Sequence, residues 1–226
     1  MTENKPEGND MSHEGNFSEV VIDIETYQDI TDQQIEAMSK EIQAPKNWKD
    51  PAKIEKYIED KKTELIGKAA LSPRTGKVVC VGLGIRIRNE SEWRFETYEG
   101  IDEGLILKQA DTRLQELNAV KIITFNGKHF DIPFLLARQM KANQPTEFKL
   151  PTGYDKRHVD LFELLGRDGS LGAWSAAILG KPHNQDGSDV AAMVEAGQWD
   201  ELTAYCLDDV RHTAELYERL ELVAGP

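Results

Sequence analysis

Two periodicities of apolar and polar positions run along this chain, and they divide it into elements. Glu19-Val-Val-Ile-Asp-Ile24 is a short apolar run that reads as a strand with a polar exit at Glu25-Thr26. Two polar stretches follow with helical spacing, 32–43 and 51–66, and they read as a helical insertion (32–66) between the first two strands. Residues 78–88 are strongly apolar and become alternating, and 93–98 alternate again, so 78–98 is expected as a hairpin. Gly82 and Gly84 do not continue into a GxGxxG pattern and are read as strand glycines, not a phosphate loop. An amphipathic helix is expected over 101–117, then a short buried strand over 121–125 that ends at an Asn126-Gly127 turn. The next helix covers about 132–141, with Pro133 tolerated in its first turn. Beyond a loop at 149–158, short helical pieces are expected at 159–165, 172–179 and 189–196, and one long helix at 199–222. A strand, a hairpin, a helix and a further strand–helix unit predict an α/β fold with a mixed central sheet.

The 226 residues suffice for one sizeable core, so 17–226 is expected as one domain behind a polar, disordered tail at 1–16. With 39% hydrophobic and 30% charged residues the composition is that of a soluble globular protein. The longest apolar runs, such as 78–85, are too short to cross a bilayer, and the N-terminus lacks the marks of a signal or transit peptide. A cytoplasmic protein with no membrane partner is expected. Cys80 and Cys206 read as two buried reduced thiols rather than a disulfide or metal site. Forty acidic against 27 basic residues give a net charge of −13. That balance argues against tight, sequence-blind coating of long duplex, because phosphate neutralisation drives such binding. It leaves open an enzyme that grips only a chain end.

Three short constellations carry candidate chemistry. Asp23 and Glu25 are two apart on a strand, so their carboxylates leave on one face and can share hard cations. In Thr124-Phe-Asn-Gly-Lys-His-Phe-Asp131, a strand delivers Asn126 into a turn and Asp131 opens a helix. Asp131 could serve only as a helix N-cap, Asn126 only as a turn residue, and Phe130 either as core or as a wedge against a base. Tyr205 and Asp209 are i and i+4 on the last helix and share a face, whereas Asp208 points to a neighbouring one. Together these elements are the inventory that phosphodiester hydrolysis requires: carboxylates for two divalent ions roughly 3.5–4 Å apart that clamp the attacking and leaving oxygens.

Asp23-x-Glu25, Asn126-x3-Phe130-Asp131 and Tyr205-x3-Asp209 resemble the three exonuclease motifs of the DEDD superfamily. The nearest likeness is to the proofreading exonuclease domain of family B DNA polymerases and its freestanding predicted relatives, over about 18–222. The tyrosine marks the DEDDy branch; Ala204 stands where a DEDDh enzyme carries histidine. The resemblance implies a ribonuclease H-like fold with a mixed central sheet flanked by helices, and two Mg²⁺ or Mn²⁺ ions. It implies that Asp23 bridges both ions, that Glu25 and Asp209 bind the water-activating one, and that Asp131 holds the second. Tyr205 would orient the attacking water, and Thr26, Asn126 and Phe130 would bind substrate. The implied partners are nucleic acid 3′ ends, single-stranded DNA first and RNA as the alternative. A binding module with a retired site is the further alternative, against which all four carboxylates and the tyrosine stand. The same likeness extends to the 181–190 run, to which no chemistry attaches. Asp160 is expected in a structural hydrogen-bonding role.

Overall fold

The computed structural model describes residues 18–88, 90–182 and 189–224. The tail expected at 1–16 and positions 183–188 of the 181–190 run lie outside the described residues. In chain order the elements are β1 (Ser18–Gln28), α1 (Asp32–Ser39), α2 (Pro51–Ala69), β2 (Gly76–Ile87), β3 (Arg94–Glu99) and α3 (Glu103–Glu116). They continue with β4 (Ala119–Thr124), α4 (Asp131–Ala142), β5 (His158–Asp160), α5 (Leu161–Leu164), α6 (Leu171–Trp174), a π-helical turn (Ser175–Leu179), α7 (Asp189–Ala196) and α8 (Trp199–Ala224).

The five strands form one sheet in the order β3-β2-β1-β4-β5. β2 runs antiparallel to both β1 and β3, while β4 runs parallel to β1 and β5 parallel to β4. This is the mixed, helix-flanked sheet of a ribonuclease H-like fold. The alternation along β1 divides the core between its two faces. Val20, Ile22 and Ile24 pack with Ile106 and Leu107 of α3 and with Ile132 and Phe134 of α4. Val21 packs on the other side against Val210, Ala214 and Tyr217 of α8. Each fully buried side chain of this kind contributes about 1.5–3 kcal/mol relative to exposure.

Two expectations need correction. β1 does not exit at Glu25-Thr26; it pairs with β2 as far as Gln28, with a bulge between Glu25 and Thr26. The segment 159–165 is not one helix, because His158–Asp160 pairs with β4 before α5 begins. A three-residue strand is too short to show an alternation, and only its neighbour β4 makes it one.

Gly82 and Gly84 are strand glycines with a packing purpose. A Cβ on Gly82 would lie 2.7 Å from Cys206 Sγ and 2.8 Å from Val210 Cγ2, and one on Gly84 would lie 2.9 Å from Val210 Cγ1. Their bare backbone lets α8 approach β2 closely, directly beside Asp23, whose partner in the register is Gly82. The α1–α2 insertion buries little: α1 has no buried residue and α2 only Ala69. It is held instead at its feet. Arg138, almost fully buried on α4, donates to Asp29 at the first foot (3.1 Å), to the Pro73 carbonyl at the second (3.1 Å), and to Glu103 of α3 (2.7 Å through Nε).

Candidate active site

β4 and β1 pair only as far as Val21 and Ile123, and the chain then parts from the sheet. The β4-facing side of β1 is therefore open beyond that point. A buried N–H left there would cost free energy unless it found an acceptor. Asp131 supplies it: its Oδ1 accepts from the Ile24 amide at 3.1 Å, across 107 residues of sequence. The N-cap reading of Asp131 is thus corrected. The cap position is Phe130, which makes no side-chain cap bond, and Asp131 is the first helical residue, with its carboxylate turned to β1.

The turn that leads to Asp131 is built tightly. Asn126 takes a left-handed conformation (φ 66°), which asparagine tolerates better than most residues. Gly127 follows because any Cβ there would meet the Thr124 side chain at 2.5 Å. Asp160, fully buried at the end of β5, accepts from the amides of Asn126 (3.0 Å), Lys128 (2.8 Å) and Phe162 (3.0 Å). It staples the turn to β5 and α5. Phe130 is half-buried, with its ring tilted against Phe134 at 5.6 Å. One side of the ring therefore belongs to the core while part stays accessible. Thr26 is almost fully buried at the bulge after Glu25.

From the other face, α8 brings Tyr205 and Asp209. Tyr205 is buried in an apolar cluster with Cys80, Cys206, Leu202 and Val190. Cys80 is the register partner of Glu25, so this cluster lies directly against the acidic strand. Asp208 turns away to His212, one helical turn on, at 3.9 Å. Asp209, not Asp208, supplies the α8 charge that acts on Asp23, Glu25 and Asp131.

The electrostatics bind these residues into one unit. Burial, and then the charges of Glu25, Asp131 and Asp209, push the Asp23 carboxyl well above the ordinary range. Burial followed by Asp209 does the same to Glu25. Burial pushes Asp131 up to about 7, with its own amide and that of Ile24 pulling down and Asp160 and Asp209 pushing up. Four carboxylates from β1, α4 and α8 thus share one low-dielectric neighbourhood, in which acids raise the proton affinity of Asp23, Glu25 and Asp131.

Sequence reasoning missed one neighbour. Cys206 is buried and reduced as expected, yet its Sγ lies 3.7 Å from Asp23 Oδ2. Ligand atoms of Asp23, Glu25 and Cys206 lie within 4.8 Å of one another. A hydrogen bond with Cys80, together with burial, pushes the Cys206 thiol well above its usual value, so it stays protonated and donates to Asp23. The residues fit a hard divalent cation: carboxylate oxygens are the ligands such ions prefer, and repelling buried acids are relieved by positive charge. A neutral thiol is not such a ligand. The only sequence signal for Cys206 was its place one residue after Tyr205 and three before Asp209.

Comparison with known proteins gives the chain a family and a fold. Residues 77–226 match the family described as "predicted 3′-5′ exonuclease related to the exonuclease domain of PolB"; the match holds Asp131, Tyr205 and Asp209 but begins after β1. The chain is 27% identical over 169 residues to a DNA polymerase of Thermococcus litoralis, a stretch that covers 58% of this chain and 10% of the polymerase. The family B DNA polymerase of Pyrobaculum calidifontis superposes with a TM-score of 0.61 at 17% identity, over 90% of this chain and 24% of the polymerase. At that identity the likeness concerns the fold, and this chain spans only a small part of either polymerase. With more than half of its residues matched, the chain belongs to the family of predicted 3′–5′ exonucleases related to the exonuclease domain of PolB.

Proposed function

We propose that this protein is a metal-dependent 3′→5′ exonuclease that hydrolyses phosphodiester bonds at the 3′ end of single-stranded DNA. The observation that carries the proposal is the convergence of Asp23, Glu25, Asp131 and Asp209, in which neighbouring acids, Asp209 among them, raise the proton affinity of the other three. Such a cluster costs folding free energy unless a cation from outside occupies it. Asp23, Glu25, Asp131 and Asp209 would hold two Mg²⁺ or Mn²⁺ ions, which supply charge stabilisation for the attacking and leaving oxygens of phosphoryl transfer.

The chain's own residues have separable tasks. Asp23 is oriented by the Cys206 thiol, and Asp131 by the Ile24 amide. Tyr205, four residues before Asp209 on α8, would use its phenol to orient the attacking water. Asn126, held in its left-handed turn through Asp160, and the accessible part of Phe130 would take the terminal nucleotides, with Thr26 beside them. The test is incubation of 5′- and 3′-labelled DNA and RNA oligonucleotides with Mg²⁺, Mn²⁺ or EDTA. Expected are mononucleotides released stepwise from the 3′ end, no activity in EDTA, and no cuts in a circular single strand. Cleavage of RNA in preference to DNA would move the substrate to RNA with the same chemistry, and internal cuts would overturn the proposal.

A further inference from the structure

The net charge of −13 is unevenly distributed. Between positions 46 and 77 stand nine basic against five acidic residues, a local charge of +4 that leaves −17 on the remainder. This segment, α2 with its flanks, ends where the family match begins at residue 77, so the family likeness says nothing about its purpose. It walls a cleft of about 470 Å³ between α1, α2 and the 72–75 turn. Three cations, Lys61, Lys68 and Arg74, line that cleft against one carboxylate, Glu64, which both lysines bridge at 2.5 Å. Tyr57 forms part of its wall, Trp48 stands edge-on to Tyr57 at 5.4 Å, and Lys53 Nζ sits 4.2 Å over the Trp48 ring. Cations interleaved with aromatic rings are what a single strand requires: positive charge for phosphates and flat faces for unstacked bases. A duplex keeps its base faces hidden and gains only from the charge.

The position of this surface is fixed relative to the acidic site. Gln28 pairs with Gly76 and Tyr27 with Lys77, on the strand pair that also holds Glu25 and Cys80. Glu25 is three strand residues from Gln28, roughly 10 Å. Lys77 Nζ lies 5.9 Å from the Tyr27 ring, and Tyr27 packs on the cluster that contains Tyr205 and Cys206. Arg138 ties both feet of the insertion to α4. The basic cleft and the carboxylates therefore stand at the same end of the sheet, joined by rigid elements. The acidic site itself repels a polyanion, so grip on the strand must come from cations elsewhere.

We propose that the 46–77 surface is the strand-binding groove of this protein, which holds phosphates and bases of a single strand several nucleotides from the 3′ end that lies at Asp23 and Glu25. The proposal rests on the exonuclease reading for the identity of the strand, and it explains how so acidic a chain holds its substrate. The test variant is Lys61→Gln/Lys68→Gln/Arg74→Gln. Its control is Lys108→Gln/Arg94→Gln/Arg219→Gln, which removes three exposed cations from α3, β3 and α8. The probes are 5′-fluorescein oligo-dT of 4, 8 and 16 nucleotides, read by anisotropy in EDTA, with kcat and KM measured separately in Mn²⁺. For the 16-mer the test variant should bind roughly ten-fold more weakly at low salt, and its log Kd against log salt slope should fall by about 2. The 4-mer and kcat should change little, as should the control. If the substitutions lower the melting temperature, the single exposed change Arg74→Gln carries the measurement. Equal 16-mer affinity in wild type and test variant, an equal loss in the control, or no 16-mer binding by wild type overturns the proposal. If no oligonucleotide is cut under any condition, the exonuclease reading fails by itself, and binding in EDTA still decides the groove.

Discussion

Glu19 and the pair Asp23 and Glu25 lie on the same strand and, by alternation, on the same face, yet their surroundings are opposite. Glu19 accepts from Arg86 Nε at 2.9 Å and is also bridged by Lys121, while Arg86 reaches on to Glu221 at 2.7 Å. Lys121 donates to the Tyr217 hydroxyl at 2.6 Å, and the Arg86 guanidinium lies over the Trp93 ring. Burial alone would push Glu19 up, but its hydrogen bonds from Lys121 and Arg86 carry it below the ordinary carboxylate range. Four and six residues further on, Asp23 and Glu25 are held well above that range, first by burial and then by other acids. One end of β1 compensates its charge from within the chain. At the other, the charges that act on Asp23 and Glu25 among the described residues are those of acids and thiols, the setting expected of a site for cations rather than of a structural ion cluster.

The largest expected effect is at the end that holds Asp23 and Glu25. Asp23→Ala should slow cleavage of a labelled oligonucleotide by about 10³-fold or more, corresponding to ~4 kcal/mol of lost stabilisation, while the fold persists. A single-turnover rate near wild type would remove the functional meaning of the comparison. At the compensated end the loss should fall on stability. Arg86→Ala leaves Glu19 and Glu221 without their shared guanidinium, and a urea titration should show a loss of about 2–3 kcal/mol. Cleavage at low temperature should be unchanged. If Arg86→Ala lost activity without losing stability, the two ends would not differ in kind.

Tyr205→Phe should have a smaller effect on rate, roughly 10- to 100-fold, since it removes one hydrogen bond and no carboxylate. A Tyr205→Phe variant as inactive as Asp23→Ala would require another role for the ring.

The smallest effect concerns pH without metal. Asp131 binds its proton near pH 7 in the folded state and only near 4 when unfolded, so the folded state holds more protons between those values. Stability then falls as pH rises through that window and returns as pH is lowered. Buried His158, whose proton affinity is lowered by burial, opposes this once unfolded chains protonate it, so the clean range is pH 8 to 6.5. Over that range in EDTA, Asp131 by itself should add on the order of 1 kcal/mol to the stability of wild type, and Asp23 and Glu25 add in the same direction. Asp131→Asn keeps an acceptor for the Ile24 amide, should be neutral or stabilising in EDTA at pH 8, and should lose the share of the pH response that Asp131 contributes, the remainder resting with Asp23 and Glu25. Millimolar Mn²⁺ should raise the melting temperature of wild type more than that of the mutant. Equal pH and Mn²⁺ responses in both proteins would take Asp131 out of the cluster.

Much of this was legible in the order of residues. The strands β1, β2 and β4 and the helices α3, α4 and α8 follow from periodicities long enough to declare themselves, and the spacing of Asp23-x-Glu25 and Tyr205-x3-Asp209 places each pair on one face. Other features were not legible, because they depend on partners far away in the chain. The extension of β1 to Gln28 needs β2 beside it, and His158–Asp160 is a strand only because β4 is there. Asp131 reads as a cap until the Ile24 amide claims it. Cys206 reads as an inert thiol until α8 sets it against Asp23.

The sequence by itself determined which side chains can do chemistry and which face of each element they occupy, since both follow from residue type and local backbone geometry. It also held the uneven charge of the 46–77 segment, which is a matter of counting. Only the tertiary structure decided which acids meet. Glu19, Asp23 and Glu25 are chemically alike and share a strand, and what separates them is whether Arg86 and Lys121 or Asp131 and Asp209 arrive from distant elements. That is a property of packing: the field at a carboxylate is the sum over its neighbours in space, and burial multiplies each contribution by lowering the dielectric around it.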